Sequence, residues 1–125
     1  MSTPTPVRIG IVGLGRAGWG MHCDELQALP DRFRVVAVCD ELPERRRNAA
    51  VRFGCATYER IEELVRDPQV ELVDICTRSC DHFTHGRLAL RAGKSVNMEK
   101  PMCATYAEAA RLVKIAARSP GQFFD

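Results

Sequence analysis

Three glycines near the start of the chain have a spacing typical of a phosphate-binding turn. Gly13, Gly15 and Gly18 form the pattern G-x-G-x-x-G directly after an apolar run, residues 7–12, and at the start of a predicted helix. In such a turn the first glycine permits a tight bend and the second lets the backbone approach a pyrophosphate, while the third lets the helix pack closely on the strand. The N–H groups at the helix N-terminus then face the anion. The pattern therefore predicts a dinucleotide site.

An acidic residue in the expected place supports this interpretation. Asp40 ends the second apolar run, residues 34–39, and follows Gly18 at about the 20-residue separation typical of dinucleotide-binding units. A carboxylate there accepts hydrogen bonds from the adenosine ribose and repels a 2′-phosphate, so NAD is predicted in preference to NADP. The alternative is that Asp40 is only the first residue of a turn before Pro43.

A third candidate group follows a later strand. Glu99, Lys100 and Pro101 come directly after the predicted strand at residues 95–98, at the carboxyl edge of the sheet, where open α/β folds bind ligands. A lysine at that edge can exchange a proton with a substrate hydroxyl, and Glu99 can position it or a ribose. The alternative is a surface ion pair at a strand end.

The elements that must position these residues alternate along the whole chain. Short apolar runs predict strands at 7–12, 34–39, 55–58, 72–77 and 95–98, and amphipathic or capped segments predict helices at 16–29, 43–53, 59–65, 82–92 and 105–118. This alternation predicts one α/β domain over residues 1–125, a doubly wound, mostly parallel Rossmann sheet. Residues 121–125 resemble the first half of a further strand, so we expect the domain to be truncated at its sixth strand.

Composition excludes several other classes of protein. Hydrophobic residues make up 46% and charged residues 27% of the chain, which is typical of a soluble globular domain. The 18 basic and 16 acidic residues form no basic stripe, and the run at 45–47 is predicted to be a solvated helix face, so no nucleic-acid partner is expected. We expect no membrane partner and a cytoplasmic location, because no signal peptide or membrane span is present. The six cysteines are expected to be reduced core thiols.

The cysteines and histidines at residues 76–85 raise the question of a metal site. They lack the paired knuckles that structural zinc requires, and His82 is better explained as part of a cofactor loop, so no metal is predicted. His22, in the first predicted helix, is expected to be an ordinary packed or partly exposed histidine. Trp19 and Met21 on the same helix are interpreted as packing residues.

These motifs together resemble a known family over nearly the whole chain. The glycine turn, Asp40, the segment V-D-I-C-T that ends at Thr77, His82, and the segment A-G-K-S-V-N-M-E-K-P that ends at Pro101 resemble the glucose–fructose oxidoreductase/inositol dehydrogenase (Gfo/Idh/MocA-type) family of nicotinamide-dependent oxidoreductases. The A-G-K…E-K-P stretch is the most specific part. The resemblance implies hydride transfer between nicotinamide and a secondary alcohol or ketone carbon of a sugar, polyol or related metabolite.

The resemblance also assigns roles to individual residues. It implies that Lys100 is the catalytic lysine, which contacts the substrate hydroxyl and the cofactor ribose, and that Glu99 lies near the nicotinamide ribose. Thr77 and His82 fit the family's T-P-N-x-x-H loop, whereas Arg78 and Ser79 replace its proline and asparagine, so Arg78 is also a candidate for a substrate contact. The predicted cofactor-binding set is Gly13, Gly15, Arg16, Ala17, Gly18, Asp40, Thr77, Ser79, His82, Glu99 and Lys100.

The expected partners follow from the same resemblance. Family members continue into a C-terminal substrate domain that this chain lacks, so the small-molecule substrate would bind only in a full-length parent protein. A homo-oligomer is a further possibility. Two alternatives stay open: a non-catalytic Rossmann module that senses NAD or NADH, and an excised fragment that binds nothing.

Overall fold

The apolar runs of the sequence form a six-stranded sheet in the computed structural model, which describes residues 5–124. The strands are β1 (Val7–Val12), β2 (Phe33–Cys39), β3 (Ala56–Tyr58), β4 (Leu72–Ile75), β5 (Ser95–Met98) and β6 (Phe123–Phe124). Their order is β3-β2-β1-β4-β5-β6 and each pairing is parallel. The predicted doubly wound Rossmann sheet is confirmed. Its order reverses between β1 and β4, the place where such sheets bind ligands.

The helices begin and end where the sequence has capping residues. They are a π-helical segment (Gly18–His22) that continues into α1 (Cys23–Gln27), then α2 (Pro43–Phe53), α3 (Ile61–Leu64), α4 (Ser79–Arg91) and α5 (Tyr106–Ala117). Pro43 occupies the first turn of α2, and Gly54 ends it in the left-handed conformation with a φ of 60°. The Thr105 side chain accepts a hydrogen bond from the backbone N–H of Glu108 at 3.1 Å, which caps α5 as predicted.

Two predicted boundaries near the candidate site are wrong. Strand β4 ends at Ile75, so Thr77 lies in the following loop rather than in the strand. Helix α4 begins at Ser79, three residues before the predicted start at His82. The backbone N–H of Asp81 bonds the carbonyl of Arg78 at 2.9 Å, and the acidic Asp81 in the first turn favours the helix N-terminus.

The helices divide between the two faces of the sheet and create two buried clusters. Helices α1 and α2 cover one face around Ile11 and Val38, whereas α3, α4 and α5 cover the other around Ile75 and Leu112. On the α1 side, strands β4 to β6 lack a covering helix among residues 5–124, and a cavity of about 610 Å³ lies there. A parallel sheet is normally covered on both faces, so this uncovered part leaves the half-exposed Phe124 at the rim.

Several chain-wide expectations have a structural outcome. No helix among residues 5–124 has both the length and the apolar character needed to cross a bilayer. No disulfide joins any of the six cysteines, all of which lie within residues 5–124; the exposed Cys80 differs from the expectation of core thiols. Burial raises the pKa of Cys23 to about 11 and that of Cys39 to about 12, so these thiols stay protonated. The N-terminus is predicted not to be a signal peptide, but its residues 1–4 lie outside the described residues. Asp125 also lies outside them.

Candidate active site

Four strand ends lie side by side at one edge of the sheet. Val12 pairs in register with Cys39 on β2 and with Ile75 on β4, and Ile75 pairs with Met98 on β5. The residues that follow these strands therefore leave the sheet at the same level. They are Gly13, Asp40, Cys76 and Glu99. The sheet thus brings the three predicted motifs together along one edge.

The glycine turn has the close packing that its spacing predicts. Gly13 has a φ of 94°, and its backbone N–H donates to the carbonyl of Cys39 at 2.9 Å. A Cβ added to Gly18 would lie 1.9 Å from the carbonyl oxygen of Gly13, so only glycine lets the helix start this close to the turn. A Cβ at Gly15 would have only Arg45 Nη1 nearby, at 3.6 Å. Backbone atoms therefore pack tightly against Gly13 and Gly18, whereas the space beside Gly15 is open.

Asp40 is tied to the glycine turn by its own carboxylate. Its Oδ2 accepts from the backbone N–H of Leu14 at 2.9 Å, and its Oδ1 accepts from that of Leu42 at 2.9 Å. Its side chain is only 7% exposed. The alternative considered for Asp40, a residue that organises a local turn, is confirmed, whereas its contact with a ribose stays a prediction.

Two arginines from the predicted solvated run surround Asp40. Arg45 Nη1 lies 3.5 Å from the Asp40 carboxylate, and Arg46 donates to the backbone carbonyl oxygens of Asp40 and Glu41 at 2.8 and 3.0 Å. Arg45 also lines a cavity of about 360 Å³ together with Gly15 and Arg16. Arg45 and Arg47 are exposed, as predicted for a solvated helix face, whereas Arg46 is half-buried because the first turn of α2 packs next to the end of β2.

The loop after β4 is held by a histidine on the helix that follows it. Thr77 Oγ1 and His85 Nδ1 share a hydrogen bond at 2.9 Å. Burial lowers the pKa of His85, which favours the neutral ring. Ser79 is half-buried at the first position of α4, whereas the side chain of Arg78 is 85% exposed and pairs with Asp81 at 3.6 Å. Both residues that depart from the family pattern thus lie at the helix start, Arg78 exposed and Ser79 half-buried.

His82 is placed as a structural link between two loops. It is 0% exposed, its Nδ1 lies 2.6 Å from the carbonyl oxygen of Pro101, and its Nε2 lies 2.7 Å from that of Thr77. The ring has no free nitrogen to offer a ligand. His82 therefore shapes the predicted cofactor loop through the backbone on either side.

His22 makes contacts that sequence analysis missed. Its Nδ1 donates to Asp74 Oδ2 at 2.6 Å and its Nε2 donates to Glu99 Oε2 at 2.5 Å. The hydrogen bond with Asp74 is the main cause that raises the pKa of His22 to about 9, against the opposing effect of burial. The ring is therefore an imidazolium at neutral pH. Its partners are 52 and 77 residues away in sequence, and the spacing of His22 gave no signal for them.

Lys100 is the exposed residue of this region. Its backbone N–H donates to the Glu99 carboxylate, and the bond from Lys100 to Pro101 is cis. The hydrogen bond from His22 is the main cause that lowers the pKa of Glu99, so Glu99 is ionised. Within residues 5–124, the Lys100 Nζ has no hydrogen-bond or ion-pair partner. The amine is therefore available to a ligand at the edge of the sheet.

The described residues bring together one set of possible metal ligands, and it is not the 76–85 segment considered above. His22, Asp74 and Cys76 offer ligand atoms within 4.8 Å of one another. However, His22 Nδ1 already donates to Asp74, and burial raises the pKa of the Cys76 thiol, which keeps it protonated. Hydrogen bonds account for this arrangement.

The packing predicted for two residues of the first helix has a mixed outcome. Trp19 packs as predicted, under the Arg52 guanidinium at 4.8 Å. The prediction is wrong for Met21, which is 52% exposed.

Comparison with known proteins agrees with the geometry. A family model described as "Oxidoreductase family, NAD-binding Rossmann fold" (GFO_IDH_MocA) matches residues 7–124. The chain is 34% identical over 115 residues to scyllo-inositol 2-dehydrogenase (NADP(+)) IolW of Bacillus subtilis, covering 92% of this chain and 31% of that protein. It is 38% identical over 114 residues to 1-carboxy-3-chloro-3,4-dihydroxycyclo hexa-1,5-diene dehydrogenase of Comamonas testosteroni, covering 90% and 28%.

A solved structure shows the same architecture. The WlbA dehydrogenase from Chromobacterium violaceum, in complex with NADH and UDP-GlcNAcA, superposes with a TM-score of 0.91 at 27% identity, covering 98% of this chain and 35% of that protein. The chain thus spans about a third of the length of the relatives it matches. The similarity concerns their nucleotide-binding region.

Proposed function

We propose that this chain, which belongs to the Gfo/Idh/MocA family of oxidoreductases and matches the family's NAD-binding Rossmann fold, is part of an enzyme that transfers hydride between nicotinamide and a secondary alcohol or ketone carbon. The observation that carries this proposal is the alignment of four strand ends at one edge of the sheet. An extended dinucleotide can lie across that edge and contact all of the predicted motifs.

The adenosine half is assigned to the β1–β2 side of the edge. Asp40 and Arg45 lie there beside the cavity of about 360 Å³, next to the open side of Gly15. The pyrophosphate would bind the turn at Gly13 to Gly18, with Arg16 and Ala17 at the start of the helix. Each carboxylate oxygen of Asp40 already accepts one backbone N–H, and we propose that one of them also accepts a hydrogen bond from a ribose hydroxyl.

The nicotinamide half is assigned to the β4–β5 side. Thr77 and Ser79 border the loop after β4, and Glu99 and Lys100 follow β5 in register with it. The cofactor supplies the hydride chemistry, whereas Lys100 would exchange the proton of the substrate hydroxyl. The exposed Nζ of Lys100 supports this role, because the amine is not engaged by another described residue.

The substrate is assigned only as a class. The names of the relatives include an inositol dehydrogenase, and the WlbA complex holds a nucleotide sugar, so a sugar, polyol or related small molecule is proposed. Since the chain spans about a third of such proteins, a further domain would supply most of the substrate contacts. We also propose a cytoplasmic location, because six cysteines without a disulfide among residues 5–124 suit a reducing compartment.

Calorimetric titration of the chain with NAD⁺ and with NADP⁺ tests the cofactor assignment. We expect saturable binding of NAD⁺, and a Gly18→Ala variant should lose it because the added methyl collides with Gly13. Val51→Ser, at an 89% exposed position of α2, is the matched control and should bind as the unchanged chain does. Absence of binding to both nucleotides would contradict the proposal.

The catalytic assignment needs an enzyme that contains this chain with its substrate-binding part. There, Lys100→Met should abolish turnover and leave the NAD⁺ dissociation constant nearly unchanged, because the lysine acts on the substrate proton. Retained turnover would remove Lys100 from its role without affecting the cofactor assignment.

A further inference from the structure

Lys100 has a histidine contact on each side of it along the chain. On one side, His22 donates to the carboxylate of Glu99, and on the other, His82 Nδ1 lies at hydrogen-bond distance from the carbonyl of Pro101, at 2.6 Å. Each histidine also bonds a second group near the end of β4, His22 to Asp74 and His82 to the carbonyl of Thr77. The segment that carries Lys100 is therefore attached on both sides to the neighbouring strand.

The Asp74 carboxylate that His22 contacts is itself held in place. Asp74 is 3% exposed, and its Oδ1 accepts from Asn97 Nδ2 on β5 at 3.0 Å. Asp74 and Asn97 are register partners, so the carboxylate is held against the sheet by the strand pairing itself. Among the described residues, His22 is the cation that forms an ion pair with Asp74. A buried carboxylate requires such a partner, and this requirement fixes the ring of His22.

The other side of the ring determines where Glu99 lies. Glu99 Oε2 accepts from His22 Nε2, while the same carboxylate accepts from the backbone N–H of Lys100. The Glu99 backbone N–H also donates to the Ile75 carbonyl at 3.0 Å. Hydrogen bonds thus fix the backbone N–H groups of both Glu99 and Lys100, whereas the Lys100 side chain makes no hydrogen bond to a described residue.

We propose that His22 is a positioning residue: anchored on Asp74, it holds Glu99 and thereby fixes the backbone from which Lys100 reaches the nicotinamide end of the cofactor. This inference rests on the proposed role of Lys100. It assigns to Glu99 a contact with protein rather than with the cofactor ribose. A purely structural role would need only the contact of His22 with Asp74, which joins the first helix to β4, so the contact with Glu99 is what the test must isolate.

The test uses the chain labelled with ¹³C at the ε-carbon of lysine, which gives separate NMR signals for Lys94, Lys100 and Lys114. Lys94 serves as an internal control, because its Nζ donates to the carbonyls of Asp67 and Val70, away from the edge. The signal of Lys100 is assigned by its loss in Lys100→Arg. Spectra without cofactor and with NADH, together with calorimetry for NADH, are then compared among variants.

The decisive variant is Glu99→Asp, which keeps the charge but shortens the side chain by one methylene, so that it no longer reaches His22. We expect it to move the Lys100 signal, both without cofactor and with NADH, and to leave the Lys94 signal in place. His22→Gln should act in the same direction, and the double variant should be no worse than the more damaging single one. Glu25→Gln, on the same helix and outside the cluster, is the control and should change none of these quantities.

Other results overturn the inference. If Glu99→Asp leaves the Lys100 signal at its original position, or if the effects of the two substitutions on that signal are additive, His22 does not act through Glu99. Should His22→Gln fail to fold, Glu99→Asp alone decides, since the side chain of Glu99 is 30% exposed and its contact with Asp74 is indirect. If the unchanged chain binds no NADH, the proposed function fails, while the signal of Lys100 without cofactor still decides whether His22 positions it.

Discussion

The stability of the fold should depend on pH through His22. The folded protein raises the pKa of this imidazole from 6.5 to about 9, chiefly through its hydrogen bond with Asp74. A group whose folded pKa is raised stabilises the fold fully at pH values below its unfolded pKa, and this contribution is lost as the pH rises through the folded pKa. Stability should therefore fall between pH 6.5 and about 9.

The magnitude follows from the size of the shift. Each pKa unit corresponds to about 1.4 kcal/mol, so the shift of His22 corresponds to about 3 kcal/mol of stability, lost progressively across that interval. The side chain is only 13% exposed, so solvent screening removes little of this contribution. A domain of this size has a total stability of about 5–15 kcal/mol, which makes the loss large enough to measure.

Urea unfolding followed by circular dichroism at pH 6.5, 8 and 9 measures this effect in the unchanged chain and in His22→Gln. The difference in unfolding free energy between the two should shrink by about 3 kcal/mol over the interval. Buried thiols complicate higher pH values, because the raised pKa values of Cys23 and Cys39 also make stability fall above about 9. They are present in both proteins and cancel in the difference. A difference that stays constant from pH 6.5 to 9 would refute the assignment of an imidazolium bound between two carboxylates.

Three further substitutions test the cofactor half of the edge. Asp40→Ala should weaken NAD⁺ binding more than NADP⁺ binding and so narrow the preference for NAD, and it should cost about 1–3 kcal/mol in unfolding free energy because the buried N–H of Leu14 loses its acceptor; an unchanged preference would remove Asp40 from the ribose site. Arg45→Glu should raise the dissociation constant of NADP⁺ more than that of NAD⁺ in calorimetry, since Arg45 lies next to Asp40 at the predicted 2′ position; equal effects would show that Arg45 is remote from the ribose. Gly18→Ala should destabilise the fold by about 1–3 kcal/mol in urea unfolding, because its Cβ collides with a backbone carbonyl, and an unchanged unfolding midpoint would show that the turn can shift.

The fold could be predicted because its signals are local. Each strand is a short apolar run, and each predicted motif follows the end of one, so parallel pairing is enough to bring Gly13, Asp40 and Glu99 to one edge. The two boundary errors, at the end of β4 and the start of α4, also concern local structure. Thr77 continues an apolar pattern but leaves the sheet, and the helix begins with Ser79 before any apolar residue that would mark it.

The contacts of the histidines could not be predicted in the same way. His22 bonds residues 52 and 77 positions away, and neither partner differs in type from an ordinary surface carboxylate. Only the folded structure shows that Asp74 lies next to the first helix, where His22 Nδ1 is 2.6 Å from its carboxylate. The expectation that His22 is a packed residue therefore described its burial and missed its charge.

The way these contacts are made explains why the departures at Arg78 and Ser79 leave the Lys100 side of the edge intact. His82 joins the two loops through the backbone carbonyls of Thr77 and Pro101, so the side chains at positions 78 and 79 take no part in the link. Arg78 instead points outward with 85% of its side chain exposed. The departure at Arg78 thus lies on the outer surface of the loop, and the link between the loop after β4 and the segment that carries Lys100 depends on His82, which matches the family pattern.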